Sequence, residues 1–169
     1  MRIRIFLFLV LGFIFITNIN AQKFGYINST ELLMAHPDVK SADAKLQEFQ
    51  KQLFAKGQQM AQEFQKHYEA YVKDVNAGLL SKIQMQEKEN ALAQEQNKIR
   101  EFEVEMQQKI AKKREELYKP ILDKIQQAIN EVGKENNFTF IFDAGTGGIL
   151  YAEESDNIID LVKAKLGLK

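Results

Sequence analysis

Hydrophobic and polar positions alternate along this chain in three different rhythms. Lys23-Phe24-Gly25-Tyr26-Ile27-Asn28 is short and apolar and predicts a strand. Asn28-Ser29-Thr30-Glu31 supplies an N-cap for a brief helix through Met34, stopped at His36-Pro37. From Asp38 to about Val132 the chain is dense in Gln, Glu, Lys, Ala and Leu, with Pro120 as its one proline. These are strong helix formers, and the stretch is predicted helical nearly throughout. Its one break falls at Asn76-Ala77-Gly78, where Asn and Gly tolerate the positive φ of a reversal.

A hairpin about that turn gives an outgoing helix from Asp38 to Val75, roughly 57 Å long at about 1.5 Å per residue. The returning helix is expected to regain the level of Asp38 near Glu116. Pro120, just beyond, cannot donate to the Glu116 carbonyl and is expected to kink the helix, which makes it the hinge between arm and body. Within the arm, Val39, Ala42, Leu46, Phe49 and Leu53 step by three and four, a heptad-like seam. Farther out the step becomes eleven: Leu53, Phe64 and Val75; Met60 and Tyr71; Gly57 and Tyr68; then Ile99, Ile110, Ile121 and Val132, and Met106, Leu117 and Ala128. An eleven-residue repeat favours nearly straight pairing over a tight left-handed supercoil. Between Ser81 and Gln96 the seam thins to Ile83, Met85, Leu92 and alanines, so the distal arm is expected to be lightly held.

The third rhythm returns to strands. Gly133 is placed as a helix C-cap, with Asn136-Asn137 continuing the turn. Phe138-Thr139-Phe140-Ile141-Phe142 alternates aromatic residues on one face. A Gly-rich connection from Asp143 to Gly148, explained as a tight hairpin, leads to a further short strand, Ile149-Leu150-Tyr151. Ser155 or Asp156 caps a last helix with Ile158, Ile159, Leu161, Val162 and Leu166 as its apolar set. The fold class is α+β: a long antiparallel, coiled-coil-like helical hairpin (38–119, turn near 76–78) on a small β-rich body (22–37 and 120–169). So small a sheet buries little alone and leaves edges open, which argues for assembly with further copies without fixing their number.

The first residues change the compartment. Arg2 and Arg4, an apolar run from Ile5 to Ile16, and Ile19-Asn20-Ala21 before Gln22 have the three regions of a secretory leader, with cleavage expected after Ala21. The run is shorter than the roughly 20 residues of a membrane span. The chain has no cysteine, so an exported form must be held by burial or oligomerisation rather than disulfides. From Gln22 onward 21 basic residues face 23 acidic ones, a balance that gives nucleic acid no basic face to bind. Histidine occurs at His36 and His67, far apart and without a ligand spacing, so neither a metal nor a nucleophilic site is expected. Gly145-x-Gly147-Gly148 lacks the Lys-Ser/Thr of a phosphate loop. No cofactor and no enzymatic activity are expected.

An export leader, then Lys-Phe-Gly-Tyr-Ile-Asn-Ser-Thr-Glu-Leu-Leu, a Gln/Glu/Lys-rich hairpin, and an ending from Ile129 to Asp143 followed by Asp156 to Leu166 resemble the Skp (OmpH) family of chaperones. The resemblance spans the whole mature chain. It implies a periplasmic homotrimer whose strands join in a central body, with three helical arms around a cavity. The cavity would hold unfolded outer-membrane β-barrel proteins without ATP. By position, Phe24, Tyr26, Ile27, Phe138, Phe140, Phe142, Ile149 and Tyr151 would build the trimer body. The family's arms are basic and attract lipopolysaccharide. Here Lys40–Lys119 carries 15 basic and 13 acidic residues, so any membrane or lipopolysaccharide contact is expected to be weak.

A holdase needs many weak, non-directional contacts, which flexible Met and aromatic side chains supply. Phe49, Phe54, Met60, Phe64, Tyr68, Tyr71, Phe102 and Met106 are the candidate client-binding residues. For Phe49, Met60, Phe64, Tyr68, Tyr71 and Met106 the competing role is the seam between the two arm helices; Phe54 and Phe102, like Tyr118 and Val104, are placed off that single seam, where client contact is one explanation. A structural coiled-coil envelope adaptor with one fixed protein partner is the alternative function.

Overall fold

In the computed structural model residues 22–168 are described, and the leader expected at 1–21 lies outside them. Asn28 ends the first strand, β1 (Phe24–Ile27), and begins helix α1 (Ser29–Ala35), its Oδ1 accepting from the amides of Thr30 and Glu31 at 3.1 Å each. His36 then turns the chain: its Nδ1 accepts from the Asp38 amide at 3.3 Å, and Pro37 opens the long helix α2 (Pro37–Asn76) where a missing N–H costs nothing. Its 40 residues span about 60 Å.

The reversal is a Schellman turn. Gly78 adopts φ 67°, the Gly78 amide donates to the Val75 carbonyl at 3.0 Å, and the Leu79 amide to Asp74 at 3.1 Å. Ser81 and Gln84 then form a capping box that starts helix α3 (Lys82–Glu135). Because the turn consumes residues 77–81, the return is later than simple doubling-back predicts. Asp38 meets Lys124 (3.4 Å), not Glu116. Helix α3 passes through Pro120 as one continuous element. It also runs past Gly133. The cap lies at Asn136 and Asn137, the latter at φ 57°, with the Phe138 amide donating to the Gly133 carbonyl at 2.9 Å. Gly133 serves packing instead: a Cβ there would stand 3.2 Å from Cδ1 of Ile141.

Strand β2 (Phe140–Asp143) pairs in parallel with β1, Phe24 opposite Phe140 and Ile27 opposite Asp143. Parallel neighbours need a crossover, and here the crossover is the entire arm. On its other side β1 meets an isolated parallel bridge at Asn157, with the Ile158 amide donating to the Tyr26 carbonyl at 2.9 Å. Phe138 does not share a face with Phe140 and Phe142. It precedes the strand and packs against the core, over Gly25, where a Cβ would lie 2.9 Å from Cε1 of Phe138.

The expected strand Ile149–Tyr151 is absent: this stretch is irregular, and the Gly-rich connection before it is a 3-10 turn (Ala144–Thr146) rather than a hairpin. A parallel neighbour leaves no reason for the chain to double back there. The last helix, α4 (Ile159–Lys165), starts later than Ser155 or Asp156, which lie in a second 3-10 turn (Glu154–Asp156). Asn157 Oδ1 takes up the free Ile159 amide at 3.1 Å. Ile27, Leu32, Ile158 and Val162, each almost fully buried, centre a core completed by Ala42, Ile121, Ile125, Ala128 and Val132. The described residues are mostly helical, with two long helices, two short ones and a two-stranded sheet among them.

Candidate functional site

Near its base the arm is sealed by side chains from both helices. Leu53, Phe102 and Met106 are buried against each other, with Phe49, Met60 and Ile110 packed on them. Gly57 faces the Phe102 ring, where a Cβ would make ordinary contact at 3.5 Å, and Lys56 lies over the same ring at 5.2 Å. Phe102 and Met106 therefore belong to the interior of the hairpin rather than to its surface, which corrects their assignment as client-facing residues. Helical period places them there: they are four apart on α3, opposite Leu53.

Beyond this cluster the seam changes character. Among the described residues none between Leu53 and Phe102 is fully buried. The helices are linked instead by polar pairs: Lys88 to Asp74 at 3.1 Å, His67 to Glu95 at 2.9 Å, and Tyr71 Oη donating to Glu89 at 2.6 Å. The bond to Glu89 raises the Tyr71 phenol above its ordinary value, with desolvation adding to it. Ile83 takes no part in the seam and is 73% exposed.

The outer faces of the arm are apolar in places. Phe54 is 54% and Tyr68 51% exposed, and Phe64, half-buried, stacks on Tyr68 with ring centroids 6.3 Å apart. Phe54 borders an open groove along the base of the arm with Ile110, Ala111, Tyr118 and Leu122 as its apolar floor and Arg114 among its polar lining. Tyr118 also donates to Asp43, tying α3 to α2. Toward the tip Val72, Leu79 and Ile83 stand exposed. Leu79, Val72 and Leu122 were not singled out in the sequence. Val72 and Leu122 are apolar residues off the eleven-residue rows named above, whereas Leu79 continues the row of Gly57 and Tyr68.

The body presents a second apolar surface. Phe24, Phe140 and Phe142 share the outer sheet face, their rings 6.1–6.3 Å apart and each roughly half exposed. Beside them Ile149 is half-buried, while Leu150 and Tyr151 project almost wholly into solvent. Tyr26 is anchored through its hydroxyl to Glu154 at 3.3 Å, and Ile27 and Phe138 face the core. Behind the sheet, Asp143 binds three groups: the Ser29 hydroxyl at 2.6 Å, the Ser29 amide at 3.1 Å and the Gly145 amide at 2.8 Å. These donors, the Ser29 hydroxyl foremost, hold its carboxyl below the ordinary value despite partial burial.

A family model described as outer membrane protein (OmpH-like) matches residues 23–166, the sheet, both arm helices and α4 together. The chain belongs to the OmpH-like family. A crystal structure assigned to an OmpH-like outer membrane chaperone of Caulobacter crescentus has the same fold, with a TM-score of 0.72 and 14% identity over 86% of this chain and 84% of that one. No functionally curated protein matches the sequence. In this OmpH-like chain no described helix is long and apolar enough to cross a membrane.

Proposed function

We propose that this chain is a holdase chaperone of the bacterial periplasm, exported by a leader cleaved after Ala21, that keeps unfolded outer-membrane β-barrel proteins from aggregating without ATP. One observation carries the proposal: a hairpin arm about 60 Å long exposes Phe54, Tyr68, Val72 and Val104 while burying no residue completely along its distal half. An unfolded barrel displays alternating apolar residues, and scattered aromatic contacts on a pliable support bind many such segments weakly. Phe64 and Tyr71, half-buried, add to this surface. Phe49 and Met60 contribute where they emerge from the seam.

The exposed Phe24, Phe140 and Phe142 face, with Leu150 and Tyr151, supports assembly of the body, and in this reading three copies join there so that their arms enclose one cavity. The nearly balanced arm charge leaves lipopolysaccharide or membrane contact weak. Purified mature protein is expected to suppress aggregation of several unrelated urea-denatured outer-membrane barrels at about one assembly per client. Protection of none of them, with one tight partner retained in a pull-down, would replace the holdase by a structural envelope adaptor.

A further inference from the structure

Gln22 is exposed and stands outside the sheet, whose register begins with Phe24 opposite Phe140. Its neighbour Lys23 is already fixed to the body. The Lys23 carbonyl accepts from the Thr139 amide at 2.7 Å, its ammonium reaches the Asn136 carbonyl at 3.3 Å, and it lies over the Phe138 ring at 4.2 Å. The family match also starts at Lys23. Removal of the leader after Ala21, on which this inference rests, would leave Gln22 as the first residue, its new α-amine beside its own side-chain carboxamide.

We propose that Gln22 of the mature chain is a modification site, closed to N-terminal pyroglutamate. The uncharged α-amino nitrogen attacks Cδ of the Gln22 side chain, forming a C–N bond and a five-membered lactam. The bond from Cδ to Nε2 breaks, and Nε2 leaves as ammonia with the proton released by the attacking amine. No electrons are exchanged and no co-reactant is needed. With an α-amine pKa of about 7.7–8.0, on the order of a tenth of the chains carry the reactive free base near neutral pH at any moment. Position makes the step compatible with the fold: Gln22 lies before the ladder, so the ring replaces no sheet hydrogen bond, and Lys23 stays where it is. The lactam removes one positive charge beside Lys23 and takes away the free amine that aminopeptidases require. That protects the start of β1, the strand between β2 and the Asn157 bridge.

The test is the intact mass of the full chain, expressed with its leader and isolated from the envelope, together with digestion by a pyroglutamyl peptidase. The expected product runs from Gln22, is lighter than the free-amine chain by one ammonia, and resists an ordinary aminopeptidase until the cyclic residue is removed. Gln22→Ala restores a free amine and aminopeptidase sensitivity. A chain starting at Gln22 at full mass overturns the cyclisation and leaves the cleavage standing. A chain that starts elsewhere, or keeps its leader, overturns both.

Discussion

Asp143 holds the end of β2 to the start of α1 by accepting from the Ser29 hydroxyl and amide, and it also accepts from the Gly145 amide in the turn that follows. Charge-assisted bonds of this kind are worth about 1.5–3 kcal/mol each when a buried partner is lost, less where water can replace it. Asp143→Asn keeps an acceptor but loses the charge and is expected to cost about 1–2 kcal/mol in urea unfolding. Because the folded carboxyl titrates below its ordinary value near 3.8, its contribution is fully present above that value and is lost as pH falls through the lower folded one. The wild type should therefore shed stability below about pH 4 more steeply than Asp143→Asn, and parallel acid titrations would contradict this. The Asn28 cap could be read directly from Asn-Ser-Thr-Glu. The role of Asp143 could not, because its partner Ser29 lies 114 residues away and only the parallel register brings them together.

The arm helices divide into a sealed base and a polar-linked outer part. Phe102→Ala opens the base cluster and is expected to cost the arm about 3 kcal/mol locally. Hydrogen exchange should then quicken from Leu53 outward along α2 and across the facing part of α3, while amides around Ile27 and Val162 keep their protection. Uniform loss of protection would mean that arm and body unfold as one. Pro120 is the second element-scale site. Pro120→Ala restores an amide for the Glu116 carbonyl, and is expected to stiffen the base of the arm and stabilise α3 by on the order of 1–3 kcal/mol. Unchanged arm splay in small-angle scattering would remove any hinge at this position. The eleven-residue rows were legible except at Tyr68, which is 51% exposed: Phe64, Val75, Ile99, Ile110 and Leu117 are half-buried, and Ile121, Ala128 and Val132 fully so. Periodicity left Phe102 off the seam because it does not lie on those rows, and the hairpin register that places it opposite Gly57 depends on how many residues the turn consumes.

At the scale of the whole molecule the exposed sheet face is the main departure from a self-sufficient domain. Phe140→Ser with Phe142→Ser should leave the helical content intact, since both rings are about half exposed, yet sediment as a monomer where the wild type sediments as an assembly. Retention of the assembly by the double variant would move the interface elsewhere. Alternation along Phe138–Phe142 marked this region as aromatic and strand-like. It did not reveal that Phe138 turns inward, because that depends on Gly25 from the other end of the chain. Nor did local pattern distinguish Ile149-Leu150-Tyr151 from a strand: its three apolar residues fit one, but β1 already has β2 on one side and Asn157 on the other.

Because the arm is threaded between two adjacent parallel strands, β1 is made first and its partner almost last. Whether the chain emerges from a ribosome or is threaded across a membrane, β1 is delivered ahead of β2 by the whole length of the arm. Throughout that interval Phe24 and Tyr26 have no mate, while the hairpin, whose contacts are local, can wind up at once. The newborn protein is thus for a time what it is proposed to guard against, a chain with an unsatisfied apolar strand.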